Sequence, residues 1–380
     1  MKHNFKIYDQ MQLRDILSKI HVTDSYKLLR ESLGSQHSHN RQSRHIESSQ
    51  DASVKTDEIT SDCLSKEGIL ILEDWDRMYL LKQIERYVTI LEISHQPPFE
   101  ERKSSKGVPV MILDKHICPN CYHLHLSALS LSTDYLYSPK VQAFLDALTQ
   151  DERIHELKCM THQEQGRFIN SVAESVRRTL NSPVYRKTIQ RRHHNYLRQF
   201  YSAMGFVDDL FHQHSRILVV RFDLAFRYDL DEIVGLDESK RYFTAFIEAI
   251  RGSRKFHDRY GYLAKLEYGH DKGFHFHVFM FFDGSKRRAD SHIAEEAGKI
   301  WMRITEGRGI YFNCNRKKEQ YKYLGIGQIH RGDTEKLGHL ASSIGYLAKL
   351  DQFLLYKTRT RLRTFMRSGI TTKGAVDAVA

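Results

Sequence analysis

Glu267, His275 and His277 are the residue types from which a divalent-metal site is built, and their spacing places them together. They fall within Gly261–Asp283, GYLAKLEYGHDKGFHFHVFMFFD. Two runs rich in aromatic and aliphatic residues flank the polar, glycine-bounded stretch Gly269-His270-Asp271-Lys272-Gly273, the pattern of a β-hairpin. With those five residues as the loop, Tyr268 pairs with Phe274, Glu267 with His275 and Lys265 with His277. Side chains alternate faces along a strand. One face therefore carries Ala264, Leu266, Tyr268, Phe274, Phe276, Val278, Met280 and Phe282, a core face. The other gathers Lys265, Glu267, His275 and His277, with directly opposed Cβ atoms roughly 5 Å apart.

The chain has 22 histidines, so an HxH alone would mean little; the acid across the strand pair and the apolar reverse face give this one its weight. No Asp-His pair follows two residues on, as in metallo-β-lactamases, and no Glu follows shortly, as in cupins. A second candidate lies in HICPNCYHLH, where Cys118 and Cys121 are accompanied by His116, His123 and His125. Zinc could use such residues. A structural zinc site usually draws a second ligand pair from a distance, which makes a two-cysteine turn the plainer reading.

The elements that must position these residues lie in a chain of 380 residues, long enough for more than one domain. A net charge of +11 points to a polyanionic partner, most simply nucleic acid. There is no apolar run of 18 residues to span a membrane, and the first residues do not read as a signal peptide. Five scattered cysteines do not make a disulfide framework, so a cytoplasmic location is expected.

Residues 1–33 suggest short helices, and 34–67, poor in large apolar residues, a disordered linker. Residues 68–164 read as a mainly helical accessory region in which Leu70, Leu72, Trp75, Met78, Tyr79, Leu81 and Ile84 form a stripe ended by Pro97-Pro98. Residues 165–213 form a basic helical lead-in, with Asn181-Ser182-Pro183 turning between two helices. Its second helix carries Arg186, Lys187, Arg191, Arg192 and Arg198, interleaved with Tyr185, Tyr196 and Phe200. That surface could face nucleic acid or simply water.

Residues 214–369 follow β-α-β-β-α-β order. A strand over Ile217–Leu224 precedes a helix over Glu238–Ile250; the hairpin follows, then a helix over Arg288–Ile304. After an irregular GRGIYFNCN, Tyr323–Ile329 supplies a fourth strand and Leu337–Tyr356 a last helix. The order predicts an α+β fold, a ferredoxin-like (split βαβ) antiparallel sheet with helices on one face and the Glu267/His275/His277 face open. Residues 370–380 are a tail.

Three features then coincide: Glu267, the HxH, and Tyr346-Leu347-Ala348-Lys349 on the last helix. With these, the chain resembles HUH-superfamily endonucleases. LEYGHDKGFHFHVFMFFDG, RGIYFNCN, YLGIGQIHRGD and IGYLAKLDQFL resemble, more narrowly, rolling-circle initiators of inovirus type and their prophage relatives. The resemblance covers residues 185–369. It implies His275, His277 and Glu267 as ligands of Mg²⁺ or Mn²⁺, Tyr346 as nucleophile and Lys349 as its helper one helical turn on. It further implies single-stranded origin DNA as substrate, with a host helicase and DNA polymerase as partners.

The chemistry is coherent on its own terms. A divalent ion polarises a phosphoryl oxygen, and a phenol of pKa about 10 needs activation near neutrality. Lysine at i+3 lies beside such a phenol. Lys265, Arg191, Arg192 and the tail residues Arg359, Arg361 and Arg363 would contact the DNA backbone. The alternatives are an HUH transposase, a relaxase, or a catalytically silent DNA-binding regulator.

Overall fold

The computed structural model describes residues 7–8, 12–16, 74–133, 135–227, 234–269, 273–321, 324–348, 354–356 and 364–369. The expected linker over 34–67, the tail over 370–380, and Lys349, Arg359, Arg361 and Arg363 lie outside them.

The first half is built on helix α1 (Asp74–Ile93), the strand pair β1 (Phe99–Lys103) and β2 (Pro109–Leu113), α2 (Cys121–Ala128), β3 (Tyr135–Tyr137), α3 (Pro139–Thr149) and α4 (His162–Leu180). It is helical with a β-hairpin inserted after Pro97-Pro98. Ile84 and Val88 of α1, Phe144 of α3 and Phe168 and Val172 of α4 share one apolar cluster. Tyr79, expected in that stripe, is exposed, whereas Leu80, Tyr87 and Leu91 are buried with Leu81 and Ile84. Thr161 and Glu164 form a reciprocal capping box at the start of α4.

Helix α5 (Pro183–Gln213) starts where the Asn-Ser-Pro turn predicts, the Ser182 hydroxyl accepting from Tyr185 N at 3.1 Å. It leads into β4 (Arg216–Phe226), α6 (Leu236–Gly252), β5 (Arg259–Gly269), β6 (Gly273–Asp283), α7 (Asp290–Ile304), β7 (Gly309–Asn313), β8 (Gly327–His330), α8 (Thr334–Ala348), β9 (Leu354–Tyr356) and β10 (Phe365–Arg367). The main sheet runs β10-β5-β6-β4-β7, with β8 also paired to β4, and its pairings are antiparallel. One end of β4 (Arg216–Val219) pairs β8 and the other (Phe222–Phe226) pairs β7. The hairpin register is the one the sequence predicts, Lys265 against His277 and Glu267 against His275. Gly273, at φ +59°, takes the left-handed backbone its turn position needs.

Three expectations are corrected here. GRGIYFNCN contains a strand, β7, so the position expected for one fourth strand is shared by β7 and β8. The last helix spans Thr334–Ala348, and Tyr356 belongs to β9, which pairs with Tyr135–Tyr137 of β3. Helices also cover both sides of the sheet. Leu218, Val220, Phe222, Phe276, Val278 and Met280 pack on Phe246 of α6 and Trp301 of α7. On the other side Ile217, Val219, Leu263, Phe279 and Phe281 lie beneath Met204 and Val207 of α5 and Leu340 and Ile344 of α8. The histidine-bearing face is therefore open only in part. The aromatic residues of α5 explain the cover: Tyr196 and Phe200 are buried under it, and Tyr185 in the first-half cluster. They are packing residues rather than a stacking surface for nucleic acid.

Candidate metal centre

Past the cover of α5 and α8, the same sheet face turns polar within one step of each strand. Phe279 is followed toward the hairpin turn by His277 and His275, Leu263 by Lys265 and Glu267, and Val219 by Arg221 and Asp223. Register sets Lys265, His277 and Asp223 side by side across β5, β6 and β4.

Both imidazoles are oriented by their outer nitrogens. His275 Nδ1 lies 3.1 Å from Gly273 O; a carbonyl can only accept, so Nδ1 carries the proton and Nε2 faces inward. His277 Nδ1 lies 2.7 Å from Asp223 Oδ1, an ion-pair distance, although the ring N–H is not aligned on that oxygen. Glu267 Oε2 is 3.4 Å from His277 Nε2 and 3.8 Å from His275 Nε2, and the two rings stand nearly perpendicular with centroids 5.0 Å apart. Each residue offers a ligand atom, and these atoms lie within 4.8 Å of one another. The three side chains are 12–29% exposed, screened from bulk water yet reachable.

Charge follows the geometry. Burial works against a proton on His277, but Asp223 and Glu267 outweigh it and push the imidazole up to about 9. Burial likewise penalises the Glu267 carboxylate; His277, Lys265 and His275 more than compensate and hold it below the usual carboxylate range. Asp223 is lowered in the same way, against its burial, by His277, Arg221 and His275. Burial and the neighbouring His277 charge lower His275. Two nitrogens and one oxygen converging at these distances fit a divalent cation that accepts mixed imidazole and carboxylate ligands, as Mn²⁺ does readily and Mg²⁺ with more water in its shell. An imidazole whose outer nitrogen meets a carboxylate, as His277 meets Asp223, is the usual support of a metal-ligating histidine.

Asp223 escapes sequence reading because it is a lone acid in an apolar strand; its one signal is that Arg221 and Asp223 break ILVVRFDL on alternate positions of one face. Arg221 lies with its guanidinium 5.3 Å from the Phe279 ring centre and its Nε 3.9 Å from Asp223 Oδ1. Lys265, expected to touch DNA, is fully buried in the sheet beside His277 and close enough to Glu267 to favour its charge; burial removes it from any direct backbone contact. Arg191 is exposed on α5, whereas Arg192 is half-buried, its charge felt by Glu85 and Tyr185.

Tyr346 is 52% exposed on α8, off the buried stripe of Leu340, Ile344 and Leu347 as its spacing predicts, and it neighbours Tyr196. The polar contacts of the histidine cluster run to Asp223, Glu267 and Gly273, not to Tyr346. Its helix nevertheless packs on Leu263 and Phe279, one same-face step, about 7 Å, from Lys265 and His277.

Residues 178–368 match the YagK/YfjJ C-terminal domain family, a family found in prophage-type proteins. The match takes in half of the chain, from the end of α4 through β10. The chain belongs to this family. The YagK/YfjJ domain thus comprises α5, the whole main sheet, its covering helices and every residue of the candidate centre. No curated protein and no solved structure matches the chain. No helix among the described residues is long and apolar enough to cross a membrane.

Proposed function

We propose that the YagK/YfjJ domain of this chain is an HUH-type nickase that cuts and rejoins single-stranded DNA through a tyrosyl-DNA intermediate, serving rolling-circle replication of a prophage or related element. The observation that carries this reading is the convergence of Glu267, His275 and His277 on one face of an antiparallel sheet. The order β5-β6-β4-β7, with helices between β4 and β5 and between β6 and β7, supports a ferredoxin-like domain as its frame.

Glu267, His275 and His277 would hold Mg²⁺ or Mn²⁺, which supplies Lewis-acid polarisation of a phosphoryl oxygen. The chain's own groups do the remainder. The Tyr346 hydroxyl attacks phosphorus; a Tyr Oη–P bond forms as the P–O3′ bond breaks. The phenolic proton passes to solvent and the departing 3′ oxygen takes one up. The products are a 5′-phosphotyrosyl link and a free 3′-OH, and the reverse reaction reseals the strand. Asp223 sits against His277 Nδ1 and supports the charge of that ring, and Gly273 O orients His275.

One observation favours a second reading. Lys265 and His277 can balance Glu267 and Asp223 without any metal, and the chain would then be a DNA-binding regulator with no cutting activity. Labelled single-stranded oligonucleotides tiled across the element's origin, incubated with Mg²⁺ or Mn²⁺, separate the two. Wild type should yield a shorter strand and a covalent adduct mapping to Tyr346, and Tyr346→Phe should yield neither while still binding DNA. An adduct on another tyrosine, or efficient cutting by Tyr346→Phe, overturns the assignment; no cutting by wild type favours the regulator.

A further inference from the structure

The row that carries the candidate centre does not stop at Asp223. Phe312 of β7 is the direct register partner of Asp223, and Ile310 that of Ala225. Directly opposed residues share a face. Lys265, His277, Asp223 and Phe312 therefore form one line across β5, β6, β4 and β7. Strands lie about 4.8 Å apart, so the Phe312 ring stands roughly 10 Å from His277 on the same face. There the sheet changes character a second time, from polar to apolar and exposed: Phe312 is 47% and Ile310 46% exposed.

Scattered exposed apolar side chains need no explanation. These two are adjacent on a terminal strand of the sheet, in line with the polar cluster, and lie next to positive charge. Lys317 Nζ is 5.9 Å from the Phe312 ring centre and exposed; Arg316 beside it is exposed too, but its guanidinium is paired with Glu295 at 2.9 Å. On the cluster side of the ring, Arg221 has a buried Nε with no hydrogen-bond partner. An exposed aromatic ring beside the exposed Lys317, on a chain of net charge +11, is complementary to a single-stranded nucleic acid: the base takes the ring and the phosphate takes the ammonium.

We propose that the β7 edge is a base-stacking shelf, with Phe312 holding a base of single-stranded nucleic acid and Lys317 its adjoining phosphate, so that the strand is drawn across the sheet over Asp223 and His277. This rests on the nickase reading only in taking single-stranded nucleic acid as the ligand; it requires no cleavage. It also gives β7 a task that its neighbour β8, with Ile329 buried, does not share.

The test is made in EDTA, so that binding is read without cutting. Fluorescence anisotropy of a labelled oligothymidylate should show Phe312→Ala weakened by about tenfold or more, the size of one base–aromatic stack. Phe312→Tyr should keep near wild-type affinity, and the salt dependence of binding should be the same for both. In the full chain carrying Phe312→Trp, with its melt shown to be cooperative, the oligonucleotide should quench indole emission beyond any change it causes in wild type, which has two tryptophans of its own. Unchanged affinity in Phe312→Ala, no quenching of the indole, or no single-strand binding by wild type overturns the shelf. If Phe312→Ala instead turns a dimer into a monomer on sedimentation with binding intact, the edge pairs with a second copy and the proposal is wrong. No nicking by wild type in Mg²⁺ or Mn²⁺, with the shelf results standing, would sink the nickase reading alone.

Discussion

Two stretches of this chain carry the residue types of a metal site, and the fold treats them in opposite ways. In the hairpin, Glu267, His275 and His277 turn their Nε2 and carboxylate atoms toward one another on a partly exposed face, while their outer nitrogens are held from behind. In the first half, Cys118 and Cys121 are buried at the start of α2, and His125 is fully buried one helical turn on. His125 Nδ1 lies 2.6 Å from Cys121 O, and its ring packs edge-on against Tyr87 and Phe144 at centroid distances of 5.7 and 5.0 Å. One set is arranged as donors, the other as filling for a core. The converging set of three ligands among the described residues is the hairpin's. Spacing on a paired strand fixes which atoms can meet; spacing in a turn followed by a helix does not.

The most drastic way to break this contrast is to remove an imidazole from the hairpin. His277→Ala or His275→Ala should take nicking below detection in Mg²⁺ or Mn²⁺. Single-strand binding measured in EDTA should stay within a few fold of wild type, because phosphate contacts from Lys and Arg dominate affinity. Gel assays of the two variants check both halves. Wild-type nicking by either variant would remove the histidines from the chemistry and leave the hairpin as much a structural feature as α2.

How far the sequence discloses this arrangement depends on where the partner of each residue lies. The hairpin is legible because its two strands and turn are contiguous, so alternation and the glycine-bounded loop determine register without further knowledge. Asp223 is not, since the pairing of β4 with β6 joins residues more than fifty positions apart. Strand β7 reads as irregular because it is short and both residues on its outer face, Ile310 and Phe312, are exposed. Leu354 continues the apolar stripe and so extends the predicted helix to Tyr356, yet Leu354–Tyr356 pairs with Tyr135–Tyr137, a partner from the first half of the chain. The cover of α5 and α8 over the sheet is hard to see in the sequence, because the apolar residues of α5 alternate with charges along a long basic helix.

The second effect, smaller, sharpens the core side of the comparison. Burial depresses His125 to about 4 from an ordinary 6.5, against the pull of the Cys121 carbonyl. A protonated ring would bring a second N–H into a place where Nε2 has no partner. The folded value is the lower one, so the stability at stake is fully present above pH 6.5. It is lost as pH falls from 6.5 toward 4, where the unfolded chain takes up a proton that the folded chain refuses. The shift corresponds to about 3 kcal/mol at most. The raised value of His277 does not interfere, because a group shifted up to about 9 changes its contribution only between 6.5 and 9. Urea midpoints at pH 7, 6 and 5 should fall faster for wild type than for His125→Leu. Parallel decline in the two chains would show that His125 is not the group that titrates.

The smallest effect is expected at the cysteines, and its smallness is the point. If Cys118 and Cys121 are packing residues, Cys118→Ala with Cys121→Ala removes two sulfur atoms from a well-filled core, at a cost of about 1–3 kcal/mol and a lowering of Tm by several degrees. A structural zinc would contribute on the order of 10 kcal/mol, and its loss would leave the first half unfolded. The two readings therefore differ severalfold in stability and by one equivalent of metal per chain. The measurement is the zinc content of the purified wild-type protein by mass spectrometry, beside thermal melts of wild type and the double variant. Zinc far below one equivalent, with a cooperative and modestly lowered melt in the variant, keeps the contrast as drawn. One equivalent of zinc in wild type, absent from a variant that no longer melts cooperatively, would make the start of α2 a metal centre and end the contrast.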